Sequence, residues 1–413
     1  MSTVSVIGGG PAGLIAAEEL ARAGMDVTVH EHMPAVCRKF LLAGRGGLNI
    51  THSEDFARLL TRYGDSSDRL APMLAQFDPQ DLRDWCAGLG EETFVGSSGR
   101  VFPRAFRATP LVRAWLARLA ELGVQIETRR RWTGWTDEPG VLRFAGADGT
   151  ETEVASDAAV FALGGASWPR LGSDGGWVET FRDRGTEVTP LRPANVGVCV
   201  GWSDIFVDRF AGKPLKNVAL SVRGHGGPPA RGDAMITQTG LEGGPLYAIG
   251  AVIRDALDSG EPCVVEVDLR PDLTVDRLTE RLLQRRPKDS DPTWLRRTTG
   301  LDPAAIALVR ESGGGTVPRD AAVMARLIKA VPVEVSATMP IARAISTAGG
   351  IAWSEVDESL MLHRMPGTFV AGEMLDWEAP TGGYLLQASF STGVTAARGA
   401  LAWLTPSRAG PSG

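Results

Sequence analysis

The sequence predicts an α/β fold, and three observations lead to that prediction. Near the start, an apolar segment, a glycine turn and a helical pattern follow one another through residues 4–22, the order of elements in a dinucleotide-binding unit. Near the end, a short apolar segment at 369–371 precedes a second glycine-rich approach to a helix at 381–387. The long segment between them has a different pattern, with short strand-like runs followed by helical runs. We therefore predict a three-layer, Rossmann-like domain formed from both chain ends, with an inserted mixed β and helical domain.

The first motif spans 4–13 and reads VSVIGGGPAG. Gly8 and Gly10 are expected to form a tight turn that lets the backbone approach a pyrophosphate, and Gly13 to let the helix pack closely on the strand. The amides at the helix start and the positive end of its dipole would face the phosphates. We predict that Gly8, Gly10, Pro11, Ala12 and Gly13 bind the pyrophosphate. In a glycine-rich chain this spacing also arises by chance, so the elements around it matter.

The elements that follow the turn are in the expected order. Residues 14–22 are apolar on one face and stop before Gly24, where a C-terminal glycine cap belongs. A strand is predicted at 26–31, and it ends in Glu31, about 20 residues after the glycines, where an acid binds the ribose hydroxyls of a dinucleotide. The alternative for Glu31 is a solvated carboxylate at the end of a strand.

Three further elements extend this first domain. A helix is predicted over 108–122 and a strand over 124–128. Another apolar strand, at 157–163, ends at Gly164 and Gly165. It is expected to join the same sheet and bring its glycine turn toward the bound molecule. Residues 1–188 are assigned to the first part of the dinucleotide-binding domain.

The remaining chain divides into three parts. Residues 189–345 are predicted to be an inserted substrate or cap domain, with strand patterns near 196–200 and 218–222 and helical patterns at 274–284 and 303–311. Residues 346–403 return to the dinucleotide-binding domain, and 404–413 form a tail that is expected to be disordered from residue 406.

Composition limits the classes of function. The chain has 413 residues, 43% hydrophobic and 22% charged, and a net charge of −6, which gives no general attraction to nucleic acid. We find no signal-peptide pattern and no apolar run long enough for a membrane helix, so we expect a cytoplasmic protein that does not contact a membrane. The 4 cysteines are scattered without a CxxC pair, which favours reduced thiols and argues against a metal site.

Eight short motifs follow one another along the chain, from its start to its end. They are Gly8–Gly13, the RKFLLAG run at 38–44 leading to Asn49, GRVFP at 99–103, ALGGASWP at 162–169, GSDG at 172–175, TAGG at 347–350, GEMLD at 372–376 and GGYLLQ at 382–387. Together they resemble the motifs of the BaiN/YhiN-type NAD(P)/FAD-dependent oxidoreductases of bacteria. The resemblance covers nearly the full length.

One segment departs from the family pattern. Many relatives carry Gly-Gly-Arg-Cys-Asn before the asparagine, whereas this chain has Leu48 at the cysteine position, directly before Asn49. A thiol-dependent step at that position is therefore ruled out. The departure also puts in doubt any substrate carried over from the relatives that have the cysteine.

The resemblance implies that the chain binds FAD. The adenosine would lie over Glu31 and the strand near Trp132, and Glu373 and Asp376 would lie near the pyrophosphate and ribityl chain. A helix beginning near Gly383 would point its amides at the flavin pyrimidine edge, where negative charge accumulates on reduction. The alternative for the glycine pair is a plain loop. The remaining residues predicted to bind the cofactor are Lys39, Gly44, Asn49, Ala162, Gly164, Gly165, Gly372, Gly382, Tyr384 and Leu385.

The chemistry that the resemblance implies is reduction of an activated carbon–carbon double bond, with NAD(P)H as the electron donor. The candidates for a catalytic acid are Arg45, Asn49 and His52, in the loop expected to cross the flavin. Each has a structural alternative: Arg45 holds a phosphate, Asn49 satisfies backbone groups, or His52 caps a helix starting near Ser53.

Three functions remain open at this stage. The protein reduces a small enone-like metabolite, or it reduces uridine to dihydrouridine in a structured ribosomal RNA, or it is a non-catalytic flavin-binding redox sensor. The inserted region contains no second GxGxxG motif, so a nicotinamide would dock only transiently. The substrate, the choice between NADH and NADPH and the oligomeric state are not fixed by the sequence.

Overall fold

The computed structural model describes residues 1–405, and for Arg45 it describes the backbone only. The predicted tail from residue 406 therefore lies outside the described part. The chain divides into two compact units, Met1–Arg192 together with the chain from Ser346 onward, and Pro193–Ile345. The predicted boundaries lie after residues 188 and 345, and the assignment of the units to cofactor and substrate stays a proposal.

The strands of both units are short. They are β1 Thr3–Ile7, β2 Asp26–Glu31, β3 Thr51–His52, β4 Thr93–Val95, β5 Arg100–Pro103, β6 Gln125–Thr128, β7 Arg130–Trp135, β8 Val141–Gly146, β9 Glu151–Ala155, β10 Ala158–Phe161, β11 Val188–Ala194, β12 Val198–Cys199, β13 Pro214–Val222, β14 Ala230–Ile236, β15 Gly240–Glu242, β16 Cys263–Asp268, β17 Val331–Val335, β18 Ala337–Thr338, β19 Ser346–Ile351 and β20 Thr368–Val370.

The α-helices range from single turns to a long C-terminal helix. They are α1 Pro11–Arg22, α2 Arg38–Ala43, α3 Phe56–Leu60, α4 Ser67–Gln76, α5 Pro79–Gly88, α6 Ala108–Glu121, α7 Val178–Arg182, α8 Asp204–Phe210, α9 Gly244–Ala248, α10 Gly250–Asp258, α11 Val275–Leu282, α12 Asp291–Thr299, α13 Pro303–Ser312, α14 Ala321–Lys329 and α15 Tyr384–Leu404. In the described part, no helix is long and apolar enough to cross a bilayer.

The first unit is organised around a five-stranded sheet in the order β20-β10-β1-β2-β6. All of its neighbouring strands are parallel, with Val6 opposite Val29 on one side and Val160 on the other. Central parallel strands are covered on both faces, which explains why β1 and β10 are nearly all apolar and buried. The outer strand β20 comes from the C-terminal part of the chain, so both chain ends build this sheet.

Two different layers cover the sheet. On one face α1 and α15 pack together, and this close approach depends on Gly393, because a Cβ there would overlap the carbonyl oxygen of Ala12. On the other face lies the antiparallel sheet β7-β8-β9. Trp132 of β7 contacts Phe161 of β10 at 4.8 Å between ring centroids, and Phe144 of β8 contacts His30 of β2 at 4.2 Å. The predicted three-layer α/β architecture with a Rossmann-like sheet is confirmed.

A buried carboxylate ties the helical layer together. Glu18 of α1 is 1% exposed, and it accepts hydrogen bonds from the indole nitrogens of Trp85 at 3.0 Å and Trp115 at 2.7 Å. Arg22 and Arg118 complete its ion pairs at 2.8 and 3.1 Å. A buried charge is tolerated when it is paired and hydrogen-bonded in this way. Glu18 therefore links α1 to α5 and α6.

The second unit contains a seven-stranded sheet in the order β17-β16-β13-β14-β15-β12-β18. All of its neighbouring strands are antiparallel, and helices α8–α14 belong to the same unit. The mixed β and helical character predicted for this region is confirmed. Trp294 of α12 is fully buried and donates its indole N–H to the Leu282 carbonyl at 2.9 Å, so it belongs to the core of this unit.

Candidate cofactor site

The glycine turn between β1 and α1 is constrained by its own backbone. Gly8 has φ +112°, and a Cβ there would overlap the carbonyl oxygen of Ala162. A Cβ on Gly13 would overlap the carbonyl oxygen of Gly8, so the predicted need for glycine holds at both positions, although Gly13 is crowded by the turn itself. Gly10 differs: its φ is −85°, and a Cβ would meet no atom within 4 Å. The turn does not require glycine at Gly10, which instead borders open space.

Glu31 ends β2 beside this turn. Its Oε2 accepts the Gly9 amide at 3.0 Å and its Oε1 accepts the Met33 amide at 2.8 Å, while His32 Nδ1 lies 3.3 Å from Oε1. The side chain is 11% exposed, so it is not the freely solvated carboxylate of the alternative interpretation. Each carboxylate oxygen has a second acceptor site. The geometry is therefore compatible with acceptance of ribose hydroxyls.

An ion pair brings the two ends of the chain together at the middle of the site. Lys39 at the start of α2 donates to Glu373 Oε2 at 2.8 Å and to Ser167 Oγ at 2.6 Å. Glu373 also accepts the amides of Gly165 at 3.4 Å and Thr347 at 2.9 Å. One carboxylate thus holds four segments of the first unit in place.

These groups surround one elongated cleft with an empty volume of about 730 Å³. The predicted residues that line it are Gly8, Gly10, Pro11, Ala12, Glu31, Lys39, Ala162, Gly164, Gly372 and Glu373. It is also lined by residues that were not predicted, namely Gly9, His32, Ala35, Cys37, Arg38, Phe40, Leu163, Leu171, Gly172, Ser173, Ala371 and Ser389.

A second cavity of about 420 Å³ shares His32, Leu163 and Gly172 with the main cleft. Trp132, predicted near the adenosine, lines this cavity and not the main cleft. Arg131 lies at its wall and pairs with Asp174 at 3.3 Å. The two cavities together extend the open space beyond Glu31.

Five buried polar atoms around these cavities have no hydrogen-bond partner among the described residues, and two of them, His30 Nδ1 and Arg130 Nε, lie 3.4 and 3.1 Å from the Glu127 carboxylate. The other three are Arg38 Nε, Ser173 Oγ and Trp132 Nε1. Buried polar groups in native proteins are nearly always paired, so a long ligand with polar groups along its length would satisfy this set. Neither Arg38 nor Ser173 was among the predicted site residues. Both lie within segments on which the resemblance rests, RKFLLAG and GSDG, so the signal was present in the sequence.

The cysteine nearest to the site does not supply a nucleophile. Cys37 lines the main cleft and is buried, which raises the pKa of its thiol to about 12, and the Glu31 carboxylate adds to this shift. A thiol with that pKa stays protonated at neutral pH. In the described part of the chain all cysteines are free thiols, as expected from their spacing.

Asp376 and Gly44 lie outside the lining of the two cavities. Asp376 accepts the Thr189 hydroxyl at 2.6 Å, so its carboxylate joins β11 to the segment after β20. A Cβ on Gly44 would lie 2.9 Å from the Ala108 amide, so Gly44 allows α2 to meet α6. The structure gives both a packing role. Gly13 and Gly165 belong to the same turn and network as the lining residues without lining the cleft.

The second glycine pair forms the approach to α15. Gly383 is its N-cap with φ +97°, and a Cβ there would lie 2.6 Å from the backbone of Thr51. Gly382 has φ +138° and packs against the ring of Tyr384. The predicted helix start at 383–385 is thus present, and it is packed directly against β3. Leu385 lies in its first turn.

A second, unpredicted carboxylate fixes this helix start. Tyr384 donates its hydroxyl to Glu54 Oε1 at 2.6 Å, and Arg62 donates to both Glu54 oxygens at 3.0 and 2.8 Å. Burial of Glu54 acts to raise its pKa, but the hydrogen bonds from Arg62 and Tyr384 outweigh it and hold the pKa below the ordinary value. Burial, followed by the bond to Glu54, raises the pKa of Tyr384. Glu54 is therefore an anion and Tyr384 a neutral donor at pH 7.

The catalytic candidates beside β3 have their donors engaged. Asn49 Nδ2 donates to the carbonyls of Thr51 at 2.8 Å and Val101 at 3.1 Å, which matches the structural alternative for this residue, while its buried Oδ1 has no described partner. The Arg45 side chain lies outside the described part.

His52 has a local structural role that differs from the one considered. Its Nδ1 accepts the Glu54 amide at 3.2 Å, so Nε2 carries the proton and donates to the Ser98 carbonyl at 3.0 Å. It does not cap a helix, because α3 begins at Phe56 and is capped by Asp55. His52 and Glu54 line a separate cavity of about 580 Å³.

Comparison with known proteins agrees with this architecture. The model of the HI0933-like protein Rossmann domain matches residues 2–399. The chain is 26% identical over 416 residues to the 3-dehydro-bile acid delta(4,6)-reductase of Clostridium scindens, covering 97% of this chain and 99% of that protein. It is 24% identical over 404 residues to the ribosomal RNA dihydrouridine synthase of Haemophilus influenzae, covering 94% and 95%.

Among solved structures, the 3-ketosteroid delta1-dehydrogenase of Sterolibacterium denitrificans superposes with a TM-score of 0.52 at 14% identity, over 97% of this chain and 100% of that chain. At this identity the likeness shows a shared fold alone. The family match covers almost the entire chain, and it confirms the resemblance drawn from the sequence motifs. The chain therefore belongs to the HI0933-like Rossmann-domain family.

Proposed function

We propose that the protein is an FAD-dependent oxidoreductase that reduces a carbon–carbon double bond conjugated to a carbonyl group. The observation that carries the proposal is the continuous cleft from Glu31, past the glycine turn, to the ion pair of Lys39 and Glu373. The bile-acid reductase that resembles this chain over 97% of its length supports the reaction class.

The residues present fit FAD. Glu31 would bind the adenosine ribose, the amides at the start of α1 would face the pyrophosphate, and the unpartnered atoms of Arg38 and Ser173 would find acceptors or donors on the cofactor. When bound, FAD supplies hydride transfer to and from carbon. A ligand with phosphates also explains why Gly10 borders open space at the helix start.

Several residues of the chain would prepare the reacting end of the site. Glu54 and Arg62 hold Tyr384, and thereby the N-terminus of α15, in one position, so that the positive end of the helix is fixed before any charge develops. The side-chain N–H groups of Asn49 and His52 now donate to backbone carbonyls. Either residue would have to break that hydrogen bond before it could donate a proton to the substrate. Catalytic hydrogen bonds often form only with substrate present, so both remain candidates, with Arg45.

The proposed electron donor is NADH or NADPH. The inserted region lacks a second GxGxxG motif, so the nicotinamide would bind weakly at the flavin and leave before the oxidising substrate arrives. We propose that the second unit supplies most contacts to that substrate, since it is the large segment of chain not committed to the cofactor.

Reduction of uridine in ribosomal RNA is a second candidate. The likeness to the dihydrouridine synthase, 24% identity over 404 residues, favours it, and the carbon–carbon bond reduced there is also conjugated to a carbonyl. Exposed arginines at 100, 104 and 107 would suit an anionic substrate, although the described cavities are not lined by them. A non-catalytic redox sensor remains the third candidate.

The cofactor part of the proposal is tested by denaturing the purified protein and identifying the released flavin by chromatography. We expect FAD at about one per chain, because the glycine turn and Glu31 form one dinucleotide site. Release of FMN, or of no flavin from protein reconstituted with FAD, would overturn the proposal. The dihydrouridine content of ribosomal RNA from cells with and without the gene separates the second candidate from the first.

A further inference from the structure

The segment 172–176 lies where the main cleft meets the second cavity. Gly172 lines both cavities, Ser173 lines the main cleft and Asp174 lines the second cavity. A Cβ on Gly172 would lie 3.2 Å from the His32 ring, so the segment and His32 are close together at the junction of the two cavities. A molecule that occupied both cavities would therefore have to run past this segment.

The backbone of the segment is anchored at its ends and free in its middle. Gly172 and Gly175 are in the left-handed region, with φ +106° and +69°. The Gly175 amide donates to the Gly165 carbonyl at 3.1 Å, whereas the amides and carbonyls of Ser173 and Asp174 make no hydrogen bond within the described chain. Glycines change φ and ψ at little steric cost, so the two glycines can serve as hinges for the residues between them.

One ion pair holds the middle of the segment against the small sheet β7-β8-β9. Arg131 of β7 donates from Nη1 to Asp174 Oδ2 at 3.3 Å, and Asp174 Oδ1 accepts the Gly176 amide at 3.0 Å. The Arg131 and Asp174 side chains are 54% and 32% exposed. Exposed ion pairs contribute little to stability and are screened by salt. This pair is therefore suited to a contact that opens and closes.

The two residues next to this ion pair carry buried polar atoms without a partner. Ser173 precedes Asp174 and is 7% exposed, and Trp132 follows Arg131 and is 8% exposed. Ser173 Oγ and Trp132 Nε1 find no hydrogen-bond partner in the part of the chain that the structure describes. Buried polar groups are nearly always paired, so these atoms indicate a ligand enclosed beneath the segment.

We propose that the segment 172–176 is a strap over bound FAD, fastened by the ion pair of Arg131 and Asp174, and that its opening sets how fast the cofactor enters and leaves. The inference rests on the cofactor part of the proposed function. A dinucleotide that spans both cavities leaves only after the pair has broken and the strap has swung about its glycines.

The test measures the rates of FAD binding and release on the full chain. Quenching of flavin fluorescence after mixing FAD with apoprotein gives the association rate constant, and transfer of FAD from loaded protein to an excess of an unrelated apoflavoprotein gives the dissociation rate constant. The variants are Arg131→Gln, Asp174→Asn and the two combined. Asp174→Asn keeps an oxygen that can accept the Gly176 amide. The matched control is Arg143→Gln, which breaks the exposed pair with Glu153 in the same small sheet.

We expect each single variant to raise both rate constants about two- to fivefold, the range for loss of an exposed ion pair. The Kd and the Tm should stay close to wild type, because the pair is lost from empty and loaded protein alike. The double variant should match the single variants, since all three lack the same contact. High salt should reduce the difference from wild type, and Arg143→Gln should change neither rate.

Unchanged rates in all variants of Arg131 and Asp174, with FAD still bound, would overturn the inference and leave the proposed function intact. Faster release from Arg131→Gln with slower release from Asp174→Asn would show that Arg131 contacts the cofactor itself, and the strap would be wrong. Faster release without faster association would show weakened binding alone and would also contradict the strap. Wild-type apoprotein that binds no FAD would overturn the proposed function and this inference with it.

Discussion

Lys39 and Glu373, separated by 334 positions in the sequence, meet in a 2.8 Å ion pair at the centre of the candidate cofactor site. The pair joins the start of α2 to the segment that follows β20, and Ser167 accepts a further bond from the same ammonium group. It is the point at which the two ends of the chain become one binding site.

Lys39→Met is therefore expected to weaken FAD binding and to lower the free energy of unfolding by about 1–2 kcal/mol, because Glu373 loses its charged partner while partly buried. Flavin titration and chemical denaturation measure the two effects. The matched control is Arg104→Gln, which breaks the exposed pair with Glu92 and should cost less than about 0.5 kcal/mol. Equal losses in both variants would contradict a special role for the central pair.

Gly10→Val should weaken cofactor binding strongly without unfolding the protein. Its Cβ has free space on the protein side, so the apo fold is retained, but the added side chain occupies the cleft at the helix start. We expect affinity to fall by about 10- to 100-fold, the range of an overpacked contact. Gly8→Ala is the contrasting variant, because its Cβ overlaps backbone and should reduce Tm. Normal flavin content in Gly10→Val would contradict the placement of the pyrophosphate.

Gly383→Ala tests the approach to α15. Both Gly383 and Gly24 have positive φ, +97° and +83°, but a Cβ meets the Thr51 backbone at Gly383 and no atom within 4 Å at Gly24. Gly24→Ala should therefore cost only the left-handed strain of about 1–2 kcal/mol. Gly383→Ala should cost more, and should also reduce flavin affinity or lower the reduction potential. If the two variants were equally stable, with unchanged potential, Gly383 would be a simple loop glycine.

His30 predicts a pH dependence of stability. Burial lowers its pKa to about 4 from 6.5, although Glu127 acts in the opposite direction. Between these values the unfolded chain binds a proton at His30 and the native protein does not, so stability falls as pH decreases from 6.5 to 4. His30→Gln should reduce the slope of the unfolding free energy against pH by the equivalent of close to one proton. The same substitution at the exposed His225 should leave the slope unchanged. Denaturation curves across this range give the answer, and parallel slopes for wild type and His30→Gln would be the contrary result.

Steady-state kinetics should show two separable half-reactions. A single Rossmann motif in the sequence leaves no second pyrophosphate turn for the nicotinamide, so the oxidised nicotinamide should leave before the substrate binds. Double-reciprocal plots are then parallel, and NAD(P)+ competes with the oxidising substrate. Intersecting plots would show that a ternary complex forms.

The glycine turn and the strands of the first unit could be predicted from the sequence, because each is encoded by a local pattern of apolar residues and glycines. The strand at Asp26–Glu31 and the helix over Ala108–Glu121 follow the apolar patterns that predicted them. The strand predicted at 157–163 is shorter, Ala158–Phe161, because the chain turns at Gly164 with φ +73°.

Other features depend on tertiary contacts that no local pattern records. Glu54 lies in a short polar loop, and its role appears only when α15 brings Tyr384 to within 2.6 Å of it. The motif predicts Asp376 near the cofactor, which stays a prediction, and only the structure shows that its carboxylate accepts the Thr189 hydroxyl. The sequence does not show which polar atoms are buried without a hydrogen-bond partner. Ser173 and Arg38 could therefore be identified from the sequence only through the motifs that contain them.

The most direct test of the proposed function is anaerobic reoxidation. Protein loaded with FAD is reduced chemically, a conjugated enone is added without oxygen, and the flavin absorbance is followed while the product is analysed by mass spectrometry. We predict that the oxidised flavin spectrum returns and that the product gains two hydrogens across the double bond. A flavin that stays reduced with steroid enones, cyclohexenone and uridine-containing RNA alike, in a protein with FAD properly bound, would contradict the reductase assignment and favour the redox sensor.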